Sequence, residues 1–229
     1  MADLPKLFSI TMDLHNLLYV SYLVPVERIR PLVPSGLTLA SSKDKVFLSI
    51  VAMQCSRVHL FDMKWPRFSY NQLNLRTYVI DPVTGNPAVY FFNSGVSSRI
   101  IPAATRILGI PWAHVSFKLL AERVANETTF YRATGNWNGE IEILMKSSAV
   151  KNANDAVIRH ITGPMAGFIG RDKKLKRIVI EHNVLDVRNL SLLQIKFNLP
   201  VDAGLLEASE LDKPESVLIV PESQFSVFI

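Results

Sequence analysis

Sulfur cross-linking is the first thing this chain does without. Cys55 is the only cysteine among 229 residues, so neither an intramolecular disulfide nor a cysteine-rich metal site is open to it. It lies in an apolar stretch, where a buried free thiol is the ordinary outcome. Long apolar runs are missing as well. None approaches the roughly 20 residues that a membrane helix needs, and the opening MADLPKLFSI lacks the apolar core of a signal peptide. Both absences predict a soluble, cytoplasmic protein with no membrane partner. The histidines His15, His59, His114, His160 and His182 never fall at His-x-His or His-x₃-His spacing, so no metal is expected. A G-x-S-x-G elbow, a Walker loop and a G-x-G-x-x-G turn are also absent. Serine hydrolase, P-loop and Rossmann readings lack support, and no cofactor is expected.

Charge is modest. Charged residues make up 20% of the chain and hydrophobic ones 48%, which allows a large core and excludes global disorder. The net charge of +5 permits anion binding in general. Only Arg171–Arg177 (RDKKLKR) concentrates basic residues, and such a run reads as a solvated loop, so no nucleic-acid partner is expected. The length fits a single domain over residues 1–229, with no internal repeat or linker.

What is present is a succession of short strands. Met12–Val24 reads as a strand stopped by Pro25, and Val26–Leu32 as one or two helical turns. Leu37–Leu39 and Val46–Arg57 read as strands, the second nearly continuous in apolar residues. Phe61–Ser69 carries Pro66 and reads as a loop. Asn71–Ile80 and Ala88–Ser94 form a hairpin around DPVTGNP. The spacing predicts a helix over Ser97–Leu108, ended by Gly109 and Pro111. Trp112–Ala121 is a strand, and Thr128–Gly135 with Gly139–Ser147 a second hairpin. A short helix is expected within Asp155–Gly170. Lys176–Arg188, Leu192–Leu199, Val217–Val220 and Phe225–Ile229 complete about ten strands. With two or three short helices, this is a mainly β (α+β) chain forming an antiparallel barrel or bent sheet.

In the first hairpin Asn74, Arg76 and Tyr78 recur at every second position and therefore share one face. They could orient the polar end of a substrate, or equally could face solvent. Tyr90, across the hairpin, could present a phenol to the same space. Arg99 and Arg106 on the following helix could clamp a carboxylate or enolate oxygen. His114 follows the L-G-I-P-W turn and is a candidate acid or base. Lys118 shares its parity but is by default a solvent-facing lysine.

The order of motifs resembles a known superfamily. YLVPVERIRPLVPSGLTL resembles the entry of acetoacetate decarboxylase-like proteins. NLRTYV, VYFFNSGVSS, RILGIPW, IEHNVL and KPESVLIVPESQFSVFI are similar to its uncharacterised branch of domains of unknown function. The resemblance spans nearly the whole chain. It implies a β-barrel-like fold with a closed, largely apolar cavity, and a homo-oligomer. In the decarboxylases themselves a lysine before the L-G-x-P turn forms a Schiff base with a β-keto acid, its pKa lowered by a neighbouring cation. Here that stretch is ATRILGIP, with Arg106 and no lysine from Ile100 to Ile110. A guanidinium stays protonated and cannot be that nucleophile. The superfamily's early arginine aligns near Leu23 and is absent too.

The resemblance therefore implies an enzyme of lyase, isomerase or cyclase type that works without a Schiff base. Its ligand would have an apolar body and a carbonyl or carboxylate end. Arg106, His114 and Tyr78 are the expected catalytic residues, and Asn74, Arg76, Tyr90 and Arg99 the expected substrate contacts. The alternative is a non-catalytic binding or carrier protein that uses the same cavity. A weaker third reading is a nucleic-acid or anionic-surface binder acting through Arg171–Arg177.

Overall fold

The computed structural model describes residues 9–60, 68–107, 109–124, 127–149, 153–171 and 174–229. Strand β1 (Ser9–Pro25) opens the chain. Helix α1 (Val26–Ile29) and a 3-10 turn (Arg30–Leu32) follow, as the two flanking prolines suggest. Arg30 fastens this corner by donating to the carbonyls of Val33, Pro34 and Leu37. Next come β2 (Thr38–Leu39), β3 (Lys45–Leu60), β4 (Phe68–Ile80), β5 (Pro87–Val96) and helix α2 (Ile100–Ile107). The expected loop Phe61–Ser69 lies mostly outside the described residues, and its last two residues already belong to β4. After α2 run β6 (Ala113–His114), β7 (Ser116–Val124), β8 (Glu127–Asn136), β9 (Glu140–Ser147) and helix α3 (Asp155–Thr162). The chain continues through β10 (Ala166–Ile169), β11 (Lys176–His182), β12 (Arg188–Phe197), helix α4 (Leu199–Asp202) and β13 (Ser216–Phe228).

Seven of these strands close into a barrel in the order β1-β3-β4-β5-β10-β11-β13, with β13 returning to β1. Within the barrel only the β5–β10 pair is parallel. Strand β13 also pairs with β12 through Leu218 and Ile219, and β12 leads a second sheet, β12-β9-β8-β7. That sheet buries Ile141, Ile143 and Met145, the alternation expected for a half-covered antiparallel sheet. It packs on the outer face of the barrel, where Leu18, Val20, Leu73, Leu75, Phe117 and Leu119 share one apolar cluster. A separate cluster, which includes Met12, Leu17, Tyr19, Val51 and Tyr78, fills the barrel interior. No helix among the described residues is long and apolar enough to cross a membrane.

Several features depart from the sequence reading: the described residues form four short α-helices where two or three are expected, α2 begins at Ile100 where Ser97 is expected, and the strand read as Trp112–Ala121 is divided into β6 and β7. Strand β10 follows α3 where only a short helix is expected, because Gly163 and Pro164 end the helix and leave room for four extended residues. The strand read as Lys176–Arg188 stops at His182. The strands read as Val217–Val220 and Phe225–Ile229 are parts of one continuous β13 that ends at Phe228, and the inward face changes phase at Pro221. On β13 the inward residues are Leu218 and Val220 before the proline, then Phe225 and Val227 after it. Strand β1 changes phase at the opposite residue, Asn16: Met12 and Leu14 face inward before it, Leu17 and Tyr19 after it. Proline has no ladder N–H to offer at that point, which suits a local break in pairing.

Asn16 sits at φ 49 and forms the bulge that opposes β3, and its side-chain amide donates to Gln54 Oε1 at 2.6 Å. Without this bulge Tyr19 would face outward. Left-handed backbone costs a β-branched residue about 1–2 kcal/mol, so Asn16→Val should lower urea-unfolding stability by about that much, whereas Asn16→Gly should cost less.

Candidate active site

A cavity of about 100 Å³ lies inside the barrel. Its wall is mostly aliphatic and aromatic, with polar groups contributed by Tyr19, Gln72, Asn74, Arg76 and Ser94. Three of these form an inward row on β4, where alternation places Gln72, Asn74 and Arg76 on one face. Gln72 Nε2 donates to Asn74 Oδ1 at 3.0 Å, which fixes both amides.

Arg76 is the centre of the polar wall. Its guanidinium carbon lies 5.3 Å from the Tyr19 ring centroid and 5.5 Å from that of Tyr78, within the range of cation–π attraction. One terminal nitrogen donates to the Ile161 carbonyl at 2.9 Å. That carbonyl lies in the last turn of α3, the partially negative end of the helix, so it opposes the positive charge. No carboxylate among the described residues pairs with Arg76, and its buried Nε has no hydrogen-bond partner. A cation held this way is preorganised to receive an anion.

Behind Arg76 runs a chain of hydroxyls. Tyr78 also donates to the Ile161 carbonyl at 3.2 Å, its oxygen is 2.9 Å from Ser49 Oγ, and Ser49 is 2.7 Å from Ser21 Oγ. Burial pushes the Tyr19 phenol up to about 12, with Arg76 acting in the opposite direction, so Tyr19 is neutral and able to donate at ordinary pH. Burial likewise pushes the Cys55 thiol up to about 12, which makes it inert. His160 on α3 packs against Tyr78 and Phe47 with ring centroids 4.9 and 5.3 Å away. Its Nε2 is buried without a partner, and burial lowers its pKa.

A family model described as "Uncharacterized conserved protein" matches residues 11–224. The chain belongs to that family, DUF2071. No curated protein matches it by sequence. Solved structures share its fold. One is an acetoacetate decarboxylase-like enzyme from Sphingomonas wittichii RW1, with TM-score 0.62 and 11% identity, covering 98% of this chain and 92% of that one. Acetoacetate decarboxylase from Legionella pneumophila matches with TM-score 0.60 and 12% identity, over 95% and 84% of the two chains. The enduracididine biosynthesis enzyme MppR, complexed with the condensation product of pyruvate and imidazole 4-carboxaldehyde, matches with TM-score 0.62 and 11% identity, over 96% and 86%. At these identities the likeness establishes the acetoacetate decarboxylase-like fold, which is the fold the motif order implies.

The residues singled out from sequence separate into two places. Asn74 and Arg76 line the cavity. Tyr78 is fully buried on the same strand face, packed beside Arg76 rather than on the cavity wall. Tyr90 is also buried but faces the other way, since its cross-strand partner is Thr77 and partners share a face. Arg99 is exposed just before α2, whose first N–H groups are instead capped by Ser98 Oγ. Arg106 is exposed in the last turn of α2, because that helix packs through Ile101, Pro102 and Thr105. There it complements the helix dipole. The turn after it closes with Ile110 N–H to Thr105 O and Gly109 N–H to Arg106 O, with Gly109 at φ 67. His114 and Lys118 are exposed, since Val115, Phe117 and Leu119 take the inward positions of that segment. In the basic run, Arg177 is engaged by the buried carboxylate of Asp81 at 2.7 Å.

Tyr19, Gln72 and Ser94 are cavity residues that the sequence reading misses. Gln72 was within reach, because it continues the same alternating row. Ser94 was not, since a bulge in β5 between its pairings to Leu75 and Arg76 swaps the inward parity from Ser94 to Phe91.

Two outcomes follow from the uncompensated charge and the buried imidazole. Arg76→Met removes an unpaired interior cation and should raise stability by about 1–3 kcal/mol, seen as a higher melting temperature. His160 has a folded pKa below its ordinary 6.5, so the stability it contributes is present above pH 6.5 and lost as pH falls. Between pH 7 and pH 5 the melting temperature of the native protein should therefore fall more steeply than that of His160→Phe.

Proposed function

We propose that this chain is a small-molecule enzyme whose ligand places a carboxylate or carbonyl oxygen against Arg76 inside the barrel. One observation carries the reading: the Arg76 guanidinium borders the cavity and has no carboxylate partner among the described residues. A planar fork of N–H donors in a largely apolar wall suits such an oxygen. Asn74 and Ser94 orient the same end of the ligand. The fold neighbours are acetoacetate decarboxylase-like enzymes, and MppR has also been captured with pyruvate. Both kinds of protein support a small oxo-acid as the ligand class.

The reaction that fits is a lyase, isomerase or cyclase step through an enolate, without a Schiff base. With no strong base among the described residues lining the cavity, the bond that breaks is the one between a carboxylate and the carbon beside a carbonyl: carbon dioxide departs, and the electron pair of that bond moves onto the carbonyl oxygen. Arg76 stabilises the charge that develops there. Tyr19, a neutral phenol beside Arg76, then supplies a proton to the carbon and is restored by water. Among the described residues lining the cavity there is no lysine, so no amine is at hand for an imine. Arg106 and His114 take no part in this reading, and the homo-oligomer implied by the resemblance belongs to it.

A second reading, a non-catalytic carrier, is favoured by a separate observation. No histidine, aspartate or glutamate lines the cavity among the described residues either, so a strong base is missing.

The test is ligand-induced stabilisation with pyruvate and acetoacetate, followed by borohydride reduction and intact mass. Both acids should raise the melting temperature of the native protein, Arg76→Met should abolish the rise, and Arg76→Lys should weaken it. Reduction should leave the mass unchanged. A covalent adduct mapped to a lysine would overturn the non-imine chemistry. Stabilisation with no change in either acid by NMR over hours would favour the carrier.

A further inference from the structure

A second cavity of about 300 Å³ adjoins the first, and its wall is almost wholly apolar. The two share Ile10 and Trp112 as lining residues. The inward row of β4 connects them: Arg76, Asn74 and Gln72 line the first chamber, and Tyr70 and Phe68 line the second. At about 3.3 Å per residue, the strand runs about 20 Å from Arg76 to Tyr70. Helix α2 forms the opposite wall through Ile101, Ala104 and Thr105. At its two ends Ile100 and Ile107 are 69% and 87% exposed, so this apolar wall reaches the surface.

From this continuity we infer that the second chamber holds the hydrocarbon tail of the ligand whose acidic end meets Arg76. The substrate class is therefore an amphipathic carboxylate or oxo-acid with an extended alkyl or aryl chain, larger than the three- and four-carbon acids. A polar wall confined to one end and an apolar chamber beyond it sort such a molecule by orientation: the carboxylate loses hydrogen bonds anywhere but at Arg76, and the tail loses burial anywhere but beside α2. The inference rests on the Arg76 reading above and adds the tail to it.

The experiment is calorimetric titration with straight-chain saturated carboxylates and 2-oxo acids of three to sixteen carbons, the longest of which match the strand length from Arg76 to Tyr70. Native protein, Ala104→Trp and Arg76→Met are compared. Ala104 is exposed on α2 and lines only the second chamber, so its enlargement fills that space without entering the barrel. Affinity should rise roughly fourfold for each methylene that becomes buried. In Ala104→Trp short acids should bind as before while the gain with length disappears, and in Arg76→Met all lengths should weaken. Short acids that bind through Arg76 with no gain from length would overturn the tail site and leave the Arg76 reading standing. A gain with length that Ala104→Trp does not reduce would overturn the tail's position. Failure of every acid to bind would remove both. To cover a poorly folded Ala104→Trp, Ile100→Glu at the chamber mouth is measured in parallel. It should selectively penalise the longer acids, and an unchanged length series together with a smaller particle by light scattering would instead identify the mouth as a contact between copies of the chain.

Discussion

A full positive charge set into the inner wall of an apolar barrel constrains much of what surrounds it. Moving a guanidinium out of water is costly unless something replaces its hydration. Here the replacement is assembled from neutral parts: two tyrosine rings and a carbonyl at the end of α3. Each supplies partial negative character, and none supplies a whole charge. The arrangement keeps Arg76 folded inward while leaving its strongest possible partner, an anion, to come from outside the chain. The helix that provides the carbonyl also brings His160 against Tyr78, so one short element both supports the cation and packs the barrel interior behind it.

Burial works on the phenols in a complementary sense. Tyr19 is held protonated far above neutrality, so the tyrosine beside Arg76 does not cancel its charge by ionising. A neutral proton donor and a permanent cation side by side make a compact electrophilic corner. On the proposed function, stability and binding pull in opposite directions there, as expected where a binding group is kept against the preference of the fold.

Much of this was legible in the residues. The alternation of Asn74, Arg76 and Tyr78 put them on one face, and that face is the interior. The barrel class followed from strand count and motif order. What was hidden has a common physical cause. Alternation predicts a side chain's direction only while the strand stays regular, and β1, β5 and β13 each change phase once. Tyr19 and Ser94 lie beyond such breaks, whereas Tyr90 does not: regular pairing from Ile80 with Pro87 to Thr77 with Tyr90 already turns it to the other face. Arg106 was prominent because it stands where the resemblance implies a lysine, yet the packing of α2 through Ile101 and Pro102 turns it to solvent. Sequence position and spatial position part company at that helix.

The connectivity of the barrel carries a kinetic consequence. Strand β10 inserts beside β5 only after the chain has traversed β7, β8 and β9, and β13 must lie between β1 and β11 before the ring exists. Ser9 pairs with Phe228, a contact spanning almost the entire sequence. Closing such distant pairings spends loop entropy before any interior burial rewards it, so ring closure should be slow and late, with the local β1–β3–β4–β5 meander formed first and its two edges, β1 and β5, unpaired. On a ribosome the corner around Arg76 would remain open to water until β13 had emerged, so the chain acquires its interior charge and its interior at the same moment.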